Sequence, residues 1–147
     1  VITEHAIDLA KDLITQFEGL ALEAYTCPAG KLTIGFGHTG DDVQAGDEIT
    51  EEIAYALLES DMTEALNCVD SYVAVDVTDT MQAALISFIF NVGCNAFRGS
   101  TLLAMLNVEQ YDDAAKQFAR WNKSKGKVLP GLVRRRKAEE NMFRGLA

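Results

Sequence analysis

The side chains able to do chemistry crowd into one stretch of the sequence. Between Glu18 and Asp42 lie the carboxylates Glu18, Glu23, Asp41 and Asp42, the Cys27 thiol, the Thr33 hydroxyl and the His38 imidazole, interleaved with Gly30, Gly35, Gly37 and Gly40. Gly35 to Gly40 satisfies G-x-G-x-x-G, a phosphate-cradling pattern. That pattern needs a strand before it, a helix directly after it and a later strand bearing an acid. Here Asp41-Asp42-Val43-Gln44-Ala45-Gly46-Asp47 follows, a poor helix start whose first two carboxylates would repel a pyrophosphate. The nucleotide reading therefore fails. These glycines are expected instead to allow positive backbone dihedrals and close backbone approach in a tightly turned β-lobe.

Taken singly, the same residues read plainly. Glu18 is an exposed carboxylate, Cys27 a small buried hydrophobe and Thr33 a strand residue. His38, after Gly37, is expected to brace the turn with a hydrogen bond. Cys27, Cys68 and Cys94 form no C-x-x-C pair and leave one odd thiol in any pairing. A disulfide framework is not expected, and Cys68 and Cys94 read as buried thiols. With His5 and His38 they show no zinc-ligand spacing, so no metal is assigned.

The elements that must position these residues follow from periodicity. Ile7, Ala10, Leu13, Ile14 and Phe17 recur at helical spacing between a Thr3 cap and Gly19, predicting a helix that ends near Glu18. From Tyr25 to about Asp47 the period disappears; Pro28, the glycines and Leu32-Thr33-Ile34 predict strands and tight turns, the only β region expected. Thr50-Glu51-Glu52 caps a long helix with Ile53, Ala56, Leu57, Met62 and Leu66 as its apolar positions. Thr78 or Asp79 caps a helix over Met81–Val92, ended by Gly93 and apolar nearly all round, which should be the most buried. Short helices are expected over Thr101–Leu106, Tyr111–Trp121 and Leu132–Phe143, with Phe88, Phe90 and Phe97 in the core and Trp121 as an anchor. The fold class is α+β: a small N-terminal β-hairpin lobe over about 20–50 and a larger helical lobe over about 51–147 plus the N-terminal helix. A cleft between lobes is the default ligand site.

The totals fit one domain. The 147 residues carry 48% hydrophobic and 24% charged side chains, a globular balance. No apolar run approaches the roughly 20 residues of a membrane span, and residues 1–17 do not read as a signal peptide or anchor. Net charge is -9, but residues 1–113 hold 3 Lys/Arg against 20 Asp/Glu, whereas 114–147 hold 10 against 2. The basic quarter reads either as a surface for an anionic partner or as a solvated helix face.

From Glu18-Gly19 through Tyr25, Cys27 and Thr33-Ile34-Gly35-Phe36-Gly37-His38 the chain closely resembles the catalytic segment of bacteriophage-type lysozymes, the endolysins of glycoside hydrolase family 24. Ser87-Phe88-Ile89-Phe90-Asn91-Val92-Gly93, Ser100-Thr101-Leu102-Leu103, Phe118-Ala119-Arg120-Trp121-Asn122 and Gly131-Leu132-Val133-Arg134-Arg135-Arg136 continue the resemblance over nearly the whole chain. It implies a lysozyme-like fold and a muramidase that cuts the β-1,4 bond between N-acetylmuramic acid and N-acetylglucosamine of peptidoglycan. Glu18 would be the general acid, since a carboxylic acid beside an apolar wall can supply a proton near neutral pH. Many members carry Asp where this chain has Cys27; a subset has Cys. A thiol there would act as a base, act as a nucleophile or place a water, with Thr33 helping to hold it. Arg135 matches a position whose guanidinium contacts the acid. No cofactor is required, the partner is bacterial peptidoglycan rather than nucleic acid, and the chain is expected to be a monomer without its own membrane anchor. It would be made in the host cytoplasm and act in the periplasm and cell wall after release. A lytic transglycosylase and a non-catalytic wall-binding module are the competing expectations.

Overall fold

The computed structural model describes residues 1–146 and resolves into two compact units, residues 15–63 and residues 1–14 with 64–146. Helix α1 (Glu4–Glu18) begins where the Thr3 hydroxyl accepts from the Ala6 N–H at 3.1 Å. Ala6, Ala10, Leu13 and Ile14 form its buried stripe, and Gly19, at φ +70°, turns the chain directly after Glu18.

In the smaller unit, β1 (Ala21–Thr26), β2 (Leu32–Gly35) and β3 (His38–Thr39) form an antiparallel sheet in sequence order. Tyr25 pairs with Thr33 and Ile34 with His38, while the register shifts between Ala21 and Tyr25. In that irregular stretch Ala24 N–H donates to Asp47 O at 2.9 Å, and the Ile49 N–H donates to Leu22 O at 2.8 Å. Helix α2 (Glu51–Tyr72) is capped by Thr50 as expected, but its apolar face differs in phase. Ala54, Leu58, Met62, Ala65, Cys68 and Val69 are buried, whereas Ile53 is exposed. Alternative apolar positions on one helix compete, and tertiary packing rather than local pattern chooses between them.

In the larger unit, α3 (Asp79–Val92) is capped by Thr78 and ended by Gly93 at φ +93°. Its run from Gln82 to Ile89 is wholly buried. Around it stand α4 (Cys94–Arg98), α5 (Thr101–Asn107), α6 (Tyr111–Gln117), a 3-10 turn (Phe118–Arg120) and α7 (Pro130–Phe143). Phe88 is the hub, meeting Phe118 at 5.3 Å, Trp121 at 5.4 Å and Phe97 at 6.4 Å between ring centroids, all edge-on. Edge-to-face pairs of this kind add about 1 kcal/mol each beyond the area they bury.

Three expectations need correction. Cys68 and Cys94 are joined by a disulfide, with Cα atoms 5.9 Å apart; it links α2 to α4, a proximity that spacing along the chain does not encode. A second β region exists, a hairpin of β4 (Lys123–Ser124) and β5 (Lys127–Val128). Its turn residues Lys125 and Gly126 both have positive φ, +52° and +78°. Such a turn is usually signalled by Asn-Gly or Asp-Gly, and Lys hides it.

The third correction concerns the basic C-terminal helix, which is not uniformly a solvated face. Arg135 and Arg136 are buried beside fully buried Glu139. Glu139 Oε2 accepts from the Ser87 hydroxyl at 2.6 Å, from Arg135 Nε at 3.2 Å and from Arg136 Nη2 at 3.2 Å. Arg136 Nε lies 2.7 Å from Glu139 Oε1 as an ion pair without hydrogen-bond geometry. Arg136 also donates to Asn91 Oδ1 at 2.9 Å and places its guanidinium 5.0 Å from the Phe88 ring. A buried carboxylate with this many donors fixes how α7 packs on α3.

Candidate active site

Glu18, Cys27 and Thr33 all belong to the smaller unit. Glu18 is the last residue of α1 and half-buried. The turn between β2 and β3 runs beside its carboxylate: a methyl placed on Gly37 would fall 2.7 Å from Glu18 Oε1. Thus the second glycine of Gly35-Phe36-Gly37 faces the candidate acid.

Cys27 follows β1 at the mouth of the hairpin. Its N–H donates to Lys31 O at 2.9 Å and its carbonyl accepts from the Gly30 N–H at 2.8 Å, so the loop from Cys27 to Lys31 is tightly closed. The free thiol is half-buried. Thr33, only 3% exposed, donates from its hydroxyl to Lys31 O at 3.1 Å. The Lys31 backbone N–H, and after it the Thr33 hydroxyl, hold the Cys27 thiol below its ordinary pKa by favouring the thiolate, against a smaller opposing effect of burial. The structure thus brings Cys27 and Thr33 together as a tuned pair.

His38 does brace the turn, through two partners that the sequence did not reveal. Its Nδ1 lies 2.8 Å from Asp61 on α2 and its Nε2 lies 3.0 Å from Asp42. Burial disfavours the charged ring, but the hydrogen bonds and charges of Asp42 and Asp61 outweigh it and raise the His38 pKa. An imidazolium donating to both carboxylates satisfies all four groups of this arrangement. Gly40 serves the same clamp, since a methyl there would meet Asp42 Oδ1 at 2.7 Å.

Among the described residues no cluster of His, Cys, Asp and Glu could hold a metal ion, and no helix is long and apolar enough to cross a membrane. In the larger unit a pocket of about 420 Å³ is lined by Trp121, Lys123, Leu129, Leu132 and Arg136 among others.

A helix ending in a carboxylate, followed by a small antiparallel sheet and a larger set of helices around one buried helix, is the α+β lysozyme fold. The model of the phage lysozyme family matches residues 15–139. The chain belongs to the phage lysozyme family.

It is 47% identical over 134 residues to the endolysin of Bacillus phage B103, covering 90% of this chain and 51% of that protein, so the chain spans about half of that relative's length. The endolysin of Acyrthosiphon pisum secondary endosymbiont phage 1 is 43% identical over 135 residues, covering 89% of this chain and 92% of that one. Among solved structures, the muramidase domain of SpmX from Asticcacaulis excentricus superposes with a TM-score of 0.85 at 34% identity, covering 97% of both chains.

Proposed function

We propose that this chain is an endolysin muramidase, one lysozyme-like catalytic domain that hydrolyses the β-1,4 bond between N-acetylmuramic acid and N-acetylglucosamine of bacterial peptidoglycan and so lyses the host cell. The observation that carries this reading is Glu18 at the end of α1, lying against the strand turn at Gly37 in a chain of the phage lysozyme family.

Glu18 protonates the glycosidic oxygen as the bond breaks and positive charge grows on the anomeric carbon. Water completes the cleavage. Cys27, with its thiolate favoured by the Lys31 N–H and the Thr33 hydroxyl, receives a proton from that water. The same hydroxyl can donate to the thiolate or to Lys31 O, and it sets how basic the sulfur is. If water attacks opposite the leaving group, the product is inverted; a glycosyl-thioether formed on Cys27 and then hydrolysed would retain configuration.

The catalyst is a monomer with no cofactor, and its partner is peptidoglycan. The Cys68–Cys94 disulfide supports action outside the reducing cytoplasm, after synthesis in the host cytoplasm and release to the wall. SAR-endolysins of phages are among its relatives, which accords with that route.

Turbidity loss of permeabilised Gram-negative cells tests the reading. Glu18→Gln is expected to abolish lysis, and a fully active variant would overturn it. Mass spectrometry of the digest gives reducing muramic ends under this proposal; anhydro ends, lighter by about one water, would instead identify a lytic transglycosylase. The anomer first released decides how Cys27 acts.

A further inference from the structure

Gly37 has two distinct reasons to be glycine. Its φ of +77° favours glycine, but Asn and Asp also adopt that region. The second reason is what a side chain would meet. A Cβ on Gly37 would stand 2.7 Å from Glu18 Oε1 and 3.5 Å from its Cδ, whereas one on Gly30, at φ +83°, would meet nothing within 4 Å. At Gly35, with φ +68°, the nearest atom is Ala54 Cβ at 3.6 Å, an ordinary contact. Of these glycines in the β-lobe, Gly37 is the one whose missing side chain is the space occupied by the Glu18 carboxylate.

The bare Cα is also held in place. The next residue, His38, pairs with Ile34 in the sheet and lies 2.8 Å from Asp61 and 3.0 Å from Asp42. Gly37 therefore cannot yield easily when something is added to it; the carboxylate, at the end of a flexible side chain, must move instead. An acid that has to reach one glycosidic oxygen tolerates little such movement, since a misplacement of about 1 Å can cost on the order of 100-fold in rate.

We propose that Gly37 is a positioning residue for the general acid: its bare Cα forms the surface against which the Glu18 carboxylate is set, and any side chain there turns Oε1 away from its working place. This rests on Glu18 being the acid. It goes further in assigning to one glycine of the Gly-Phe-Gly-His run a role in catalysis beyond making the turn.

The test compares Gly37→Ala with Gly46→Ala, at φ +77° and +88°, which impose similar backbone strain but differ in what the methyl meets, since a Cβ on Gly46 has nothing within 4 Å. On purified peptidoglycan, Gly46→Ala is expected to keep kcat within about 2-fold, and Gly37→Ala to lower kcat by roughly 30- to 100-fold with KM nearly unchanged. Equal losses in the two variants, or a loss confined to KM, would overturn the proposal.

Should Gly37→Ala fold poorly, its urea midpoint is measured beside that of Glu18→Ala and the double variant. Removal of the Glu18 side chain should restore the part of the Gly37→Ala loss that exceeds the backbone strain shared with Gly46→Ala; the absence of any such coupling overturns the contact. Glu18→Gln separates the two layers. An active Glu18→Gln protein sinks the acid and this inference together, whereas an inactive one with Gly37→Ala behaving like Gly46→Ala sinks the positioning role only.

Discussion

His38 Nδ1 lies 2.8 Å from the Asp61 carboxylate and so ties the last strand of the β-sheet to helix α2. Because Asp42 holds the other ring nitrogen at 3.0 Å, the ring is most strongly bound when charged. Its folded pKa is raised, so its contribution is fully present below the unfolded value of about 6.5 and is lost as pH rises through the folded one. Asp42 works in the opposite sense. Its pKa is lowered chiefly by the His38 hydrogen bond, so its contribution is present above about 3.9 and is lost as pH falls through its folded value. The thermal midpoint should decline above about pH 6.5 in the native protein. His38→Asn should remove that slope and cost about 2 kcal/mol near pH 6; the same slope in both proteins would contradict the clamp.

Thr33 and Cys27 make a chemical prediction of their own. With the hydroxyl absent in Thr33→Val, one of the two main groups favouring the thiolate is gone. The pH at which iodoacetamide half-maximally labels Cys27 should therefore rise. Lytic activity should fall with it, and Cys27→Asp should retain activity, since a carboxylate is already ionised at neutral pH.

The Cys68–Cys94 bond closes a separation of 26 residues. Chain-entropy arithmetic for a loop of this size gives about 3–4 kcal/mol. A double Cys68→Ala, Cys94→Ala variant should unfold at correspondingly lower denaturant, and dithiothreitol should destabilise the native protein but not that variant.

Glu139 is the carboxylate that offsets Arg135 and Arg136 in the larger unit. Glu139→Gln leaves two buried guanidiniums without that charge. The expected loss is about 3–5 kcal/mol, readable in urea denaturation. Phe88→Ala should cost a similar amount, about 3–5 kcal/mol, by opening a cavity among Phe97, Phe118 and Trp121.

The legible part of this molecule was local. The Thr3, Thr50 and Thr78 caps and the glycine stops bound helices at the expected places because a hydroxyl and an N–H three residues on are fixed by the chain itself. What escaped was set by distance. Cys68 and Cys94 meet because two helices approach, and Asp61 reaches His38 across 23 residues. Arg136 looked like surface charge because Asn91 and Phe88, which hold its guanidinium, come from another helix.

At the site, Glu18, Cys27 and Thr33 were reached through family resemblance rather than physics. Singly they are an acid at a helix end, a thiol and a strand hydroxyl. Gly37 was read as a turn former, and its contact with Glu18 depends on where a strand turn and a helix end come to rest.

The division of the chain also orders its assembly in time. Residues 15–63 form one uninterrupted unit, whereas the other unit needs residues 1–14 together with 64–146. The first residues must wait for partners translated much later, so residues 1–14 can take their places only once the stretch beyond residue 63 has been made.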